Sequence, residues 1–196
     1  MADCECFNQI MDYLRLNLPG ALDTTIELEI SNMLDEFFTK TNAWVERVKF
    51  NTRAGKKEYA VSPGNGITVR LMRVATGEDT NVPASMPTID TLLLREDPGA
   101  TLPYYAYFAT KQKAGEGLDQ IPEWVYNNYR MAIQYGTIGR MMAQPAKPYS
   151  NEKLAIFNMR EYSSQAAQIR ADVAQQHLYR GQVWRYPQGF ARGSQR

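Results

Sequence analysis

Cys4 and Cys6, spaced as Cys-x-Cys, are the only cysteines of the chain, and His177 is its only histidine. A structural zinc ion takes about four nitrogen or sulfur ligands, so this pair with one distant histidine falls short, and the cysteines read as small residues on a terminal helix. A hydrolytic triad needs a histidine to carry the proton. His177 stands at a helix end beside Gln175, Gln176 and Leu178, and no Gly-x-Ser-x-Gly elbow occurs. A cation at a helix C-terminus is favourable in its own right. Gly55-Lys56-Lys57 and Gly64-Asn65-Gly66 come nearest to phosphate loops. Neither completes Gly-x-x-x-x-Gly-Lys-Ser/Thr between a strand and a helix, so both read as turns. The acids of residues 21–39 select no pair for glycoside chemistry. The expectation is a protein without catalytic residues, metal or cofactor, and not an enzyme.

Two other groups carry more information. Gly136 and Gly139 lie in the middle of a helical pattern, flanked by Ala132 and Thr137. Each glycine costs a helix about 1 kcal/mol relative to alanine, so their presence implies a second backbone at close approach, within the subunit or between subunits. Residues 181–196 combine Trp184, Tyr186 and Phe190 with Arg185, Arg192 and Arg196, just after Arg180. Glycine and proline prevent a helix there. Arginine interleaved with aromatics suits a nucleic-acid strand or a protein groove. Arg180, Trp184, Arg185, Tyr186, Phe190 and Arg192 are the expected partner-binding residues.

The elements that would position these residues follow from periodicity. Residues 4–16 place Phe7, Ile10, Met11 and Leu14 at helical spacing, and Pro19-Gly20 breaks the pattern. Residues 21–39 predict a second helix, with Asp23 or Thr24 at its start and Leu22, Ile26, Ile30, Met33, Leu34, Phe37 and Phe38 in one stripe. From Trp44 the period shortens. Residues 45–50, 58–61, 67–74, 88–95 and 104–113 read as strands separated by glycine- and proline-rich turns, predicting a small antiparallel sheet or sandwich. Helical periodicity returns over residues 122–143 and again over 150–179, with Ser150 as the expected N-cap. In the last helix Ala155, Met159, Tyr162, Ala166, Ile169 and Val173 recur at steps of four and three, a seam for another helix.

The expected fold class is α+β: an antiparallel helical bundle of residues 1–44 and 117–180, an inserted antiparallel β-domain of residues 45–116, and an extended arm of residues 181–196. With 196 residues, 44% hydrophobic and 22% charged, the chain can bury a sizeable core. No apolar stretch approaches the ~18 residues of a membrane helix. The acidic Asp3 and Glu5 stand where a secretory signal would be basic, which predicts a non-secreted protein. The net charge is +1, which argues against a dedicated duplex binder, yet residues 1–50 carry nine acids against four bases, and no acid follows Asp172. An acidic head and a basic tail can attract each other within or between molecules.

Residues 22–44, LDTTIELEISNMLDEFFTKTNAW, resemble the opening helix of phage head-to-tail adaptor (connector or gatekeeper) proteins. Residues 122–149, PEWVYNNYRMAIQYGTIGRMMAQPAKPY, resemble their paired-helix region, although Tyr149 stands where that family often has tryptophan. The order helix, β-insertion, two helices and tail is also similar to the adaptors of short-tailed phages. The resemblance implies a virion neck protein, assembled in the host cytoplasm as a ring, commonly a dodecamer. Its partners would be sister copies, the portal protein above and a tail nozzle or tail-tube protein below. Double-stranded DNA would pass through the lumen without sequence-specific binding, and no membrane is involved. Near-neutral charge without a basic stripe suits passage, because each phosphate neutralised adds grip. Another neck or tail-completion protein, or a nucleic-acid-binding accessory protein using the basic tail, are the alternatives.

Overall fold

Apolar steps of three and four at the start of the chain produce two helices in the computed structural model, which describes residues 5–113 and 117–177. Helix α1 (Glu5–Asn17) buries Ile10, Met11 and Leu14. Helix α2 (Asp23–Thr41) buries Ile26, Ile30, Met33, Leu34, Phe37 and Phe38 along the expected stripe. It ends at Asn42, which takes a left-handed conformation and donates its N–H to the Phe38 carbonyl, while the Thr41 hydroxyl donates to the Phe37 carbonyl. These contacts use carbonyls that a helix terminus otherwise leaves without partners.

Trp44 then turns the chain into the β-region. Its ring packs edge-on against Phe38, and its carbonyl accepts the Thr110 N–H at 2.8 Å. Seven strands follow: β1 (Val45–Asn51), β2 (Glu58–Ala60), β3 (Ile67–Thr76), β4 (Asn81–Val82), β5 (Ala84–Thr88), β6 (Thr91–Leu94) and β7 (Pro103–Lys111). They form two antiparallel sheets, in the orders β1-β7-β3-β4 and β2-β6-β5. Alternation gives the first sheet an inner face of Val74, Tyr104, Ala106 and Phe108, which shares one core with Tyr59, Val61, Leu92 and Leu94 of the second. The expected single strand over residues 88–95 is instead the end of a hairpin: Ile89 and Asp90 form the turn between β5 and β6. The short β4 is also absent from the sequence reading, being too brief for any alternation to register.

Gly66 fixes the entry to β3. Its φ is +89°, and a Cβ there would stand 2.5 Å from the Lys111 carbonyl oxygen. Only glycine combines that backbone conformation with that clearance.

A 3-10 turn (Leu118–Gln120) leads to α3 (Glu123–Met142), whose second half, from Ala132 on, is buried on nearly every side between the other helices. Pro122 occupies the N-cap position. Helix α4 (Glu152–His177) returns alongside α3. Its N-terminus corrects the expected cap. The Asn151 side chain accepts the Leu154 N–H at 3.1 Å, whereas the Ser150 hydroxyl donates to the Gln144 carbonyl and accepts the Lys147 N–H, closing the elbow between the helices. The fold class is therefore α+β, with a four-helix core and a separate core inside the β-sandwich. The expected arm of residues 181–196 lies outside the described residues.

Candidate partner-binding surfaces

The six residues expected to bind a partner, Arg180, Trp184, Arg185, Tyr186, Phe190 and Arg192, lie outside the described residues, as do Cys4 and the side chain of His177. The packing residues are all placed. A Cβ on Gly136 would stand 2.8 Å from Met33 Cγ and 3.0 Å from a Tyr162 ring carbon, so this glycine lets α3 sit against both α2 and α4. A Cβ on Gly139 would stand 3.1 Å from the backbone nitrogen of Met159, so here the α3 and α4 backbones themselves come close. Tyr162, Ala166 and Val173 are buried and Ile169 packs partly buried against them, which makes the α4 seam an intramolecular one.

A polar group missed at the sequence level joins α2 and α3. Arg140 of α3 bonds to Glu29 at 3.1 Å and to Glu36, and Glu36 also accepts from Lys40. Burial alone would raise the Glu36 carboxyl, but the Lys40 and Arg140 cations overcome it and hold the group below the ordinary carboxylate value. The Tyr162 hydroxyl is buried near this group. Burial and the Glu36 charge push it up to about 12, with Arg140 opposing. Two signals for the group exist in the sequence. Glu29 and Glu36 are seven residues apart on one helix face, and Arg140 is the only charged residue between positions 131 and 142.

These pairings also change the meaning of the acidic head. Asp12 and Asp23 are held by Arg15, Glu29 and Glu36 by Arg140, and Asp35 by Lys111. Only Lys111 and Arg140 come from outside the head, so part of its excess negative charge is neutralised inside the chain and the rest stays available to an approaching cation.

Among the described residues two surfaces remain open. The first is at the end of the bundle where the α1–α2 turn meets the α3–α4 elbow; a Cβ on Gly20 would stand 3.6 Å from Pro148. A groove of about 820 Å³ opens there, lined by Met142, Pro145, Ala155, Ile156 and Met159 among others. Ile156 at its edge is 48% exposed, while Leu154 and Phe157, 46% and 53% exposed, project from other sides of the same α4 turns, and Leu16 and Leu22 are exposed near the α1–α2 turn. Several large apolar side chains exposed at one end of a bundle leave area that assembly can bury.

The second is the outer face of the larger sheet. One end is covered by α2, through Lys111 with Asp35 and Gln112 with Ser31. On the open end the register aligns Arg47, Tyr107 and Arg73 on one rung and Lys49 with Tyr105 on the next. The expectation that the chain has no basic stripe is therefore corrected. The cations are separated in sequence by up to 26 positions, and only strand pairing gathers them.

Among the described residues no group of three or more His, Cys, Asp or Glu is arranged to hold a metal ion, and no helix is long and apolar enough to cross a membrane. Compared with known proteins, the chain matches no family model and no curated protein.

Proposed function

We propose that this protein is a virion head-to-tail adaptor, assembling as a ring between portal and tail and continuing the DNA channel. The observation that carries the reading is the apolar end of the bundle. The helical seam is satisfied within one chain, yet among the described residues the elbow groove, Ile156 at its edge, and Leu154 and Phe157 on other sides of the same α4 turns remain uncovered. A protein that acts through contacts with other subunits retains such a surface, because burying it on assembly releases about 25 cal/mol per Å². The order helix pair, sandwich, helix pair also agrees with the resemblance of residues 22–44 and 122–149 to adaptor proteins.

In this reading the bundle forms the ring wall and the sandwich meets the next tail component. The residues from Arg180 onward reach the portal or a neighbouring copy, with Trp184, Tyr186 and Phe190 as anchors and Arg185 and Arg192 as steering charges. Deleting residues 181–196 tests the arm. The truncated chain is expected to keep its circular-dichroism spectrum and to lose most of its retention on immobilised portal. Retention equal to that of the full chain would contradict the role of the arm.

A further inference from the structure

The cations on the open end of the larger sheet are organised as a receptor. Alternation along β7 directs Tyr104, Ala106 and Phe108 into the sandwich core, so Tyr105 and Tyr107 lie on the opposite face with Arg47, Lys49 and Arg73. The Arg47 guanidinium carbon is 3.7 Å from the centre of the Tyr105 ring, and that of Arg73 is 4.3 Å from the centre of Tyr107. Arg70, opposite Ala109, adds a cation on the adjoining rung. A guanidinium lying flat on an aromatic ring keeps its N–H edges available, and it has already surrendered much of the side-chain freedom that binding would cost. Arg73 bonds to Asp79 at 2.9 Å, while Arg47, Lys49 and Arg70 have no acidic partner among the described residues.

We propose that this sheet face binds the phosphate backbone of duplex DNA without reading its bases. Three observations favour that ligand over the alternatives. The guanidiniums roof the tyrosine rings, so unstacked bases find no open aromatic platform and single strands gain nothing over a duplex. The two open rungs carry no large exposed hydrophobic side chain, so a protein partner has no anchor to bury. A second copy of the chain offers this face no concentrated acidic patch, because Asp12, Asp23, Glu29, Asp35 and Glu36 are already ion-paired at home and the other exposed acids, such as Glu58, Asp90 and Glu152, are scattered over separate elements. A phosphodiester backbone needs neither pocket nor anchor, since most of its affinity comes from neutralised phosphates and released counterions. Residues two apart on a strand sit about 7 Å from each other, so Arg47 and Lys49 can engage successive points along one backbone.

The site stands on the sandwich alone and does not rest on the adaptor reading. The test is fluorescence anisotropy of a labelled duplex, and of a single strand of equal length, titrated with the full chain over a range of salt. Three phosphate contacts predict a slope of log affinity against log salt of about −3. The double variant Arg47→Gln, Lys49→Gln is expected to weaken binding at low salt about tenfold or more and to bring the slope to about −1. Both side chains are exposed, and an unchanged thermal transition establishes that the variant folds. The same loss is expected when the double variant is made in the chain lacking residues 181–196. The inference is overturned if no duplex binding is detected, if the single strand is preferred, if the double variant binds like the parent, or if deleting residues 181–196 alone abolishes binding. It is equally overturned if the double variant loses self-association instead of DNA affinity. Retention of the double variant on portal is read separately and bears only on the adaptor reading.

Discussion

Gly136 and Gly139 carry opposite expectations depending on what sets their cost. In an isolated helix, alanine at either position would stabilise by about 1 kcal/mol. Here the added methyl group meets Met33 and Tyr162 at one position and the Met159 backbone at the other, at 2.8 to 3.1 Å. Each Gly→Ala variant is therefore expected to lose about 1–3 kcal/mol in urea unfolding, and a gain in stability would refute the close approach of the helices. Glu36 makes a second prediction. Its carboxyl is held below its ordinary value, so its contribution is complete above that value and disappears as pH falls through the folded one. The urea midpoint of the parent should fall faster than that of Glu36→Gln as pH drops below about 4.5. Parallel pH profiles would show that the Arg140 and Lys40 contacts add nothing. The glycines announced themselves because glycine is costly in a helix. The Arg140 group did not, because a sequence displays charges along the chain and the group exists only where three turns on two helices meet.

At the scale of elements, what was legible and what was not divides along the length of each pattern. Helix α2 repeats its apolar step over more than three turns from Ile26 to Phe38, which made both its position and its buried face legible. The 88–95 stretch is mostly β-compatible, and alternation alone does not reveal that Ile89 and Asp90 turn the chain back on itself. Ser150 and Asn151 are both good caps by type; Ser150 is taken by the Gln144 carbonyl, which depends on the elbow and not on propensity. The apolar end was hidden for a different reason. Leu154, Ile156 and Phe157 sit in a helix whose seam residues are equally apolar, and only packing separates the covered set from the exposed one. Phe157→Ser should change folding stability by no more than about 0.5 kcal/mol, since the ring is half exposed. Retention on portal or self-assembly should nevertheless fall at least tenfold. A variant that unfolds easily yet assembles normally would assign Phe157 to the core and remove the surface argument.

Across the whole molecule a net charge of +1 results from two very different parts. The helical part keeps an excess of acids, some of them ion-paired within the chain, and the sandwich gathers cations on one face. A few phosphate contacts lose affinity steeply with salt, so a duplex moving past such a face is held weakly and released easily at cellular ionic strength. That behaviour is compatible with a channel component and unlike that of a sequence-specific binder. The account's central claim is that this chain works through its contacts with sister copies and adjoining rings. Native mass spectrometry of the full chain mixed with its portal measures this directly. The account predicts a single stoichiometric complex in which a closed ring of copies joins the portal, depleted by Phe157→Ser. A chain that stays monomeric and unbound beside the portal would contradict it.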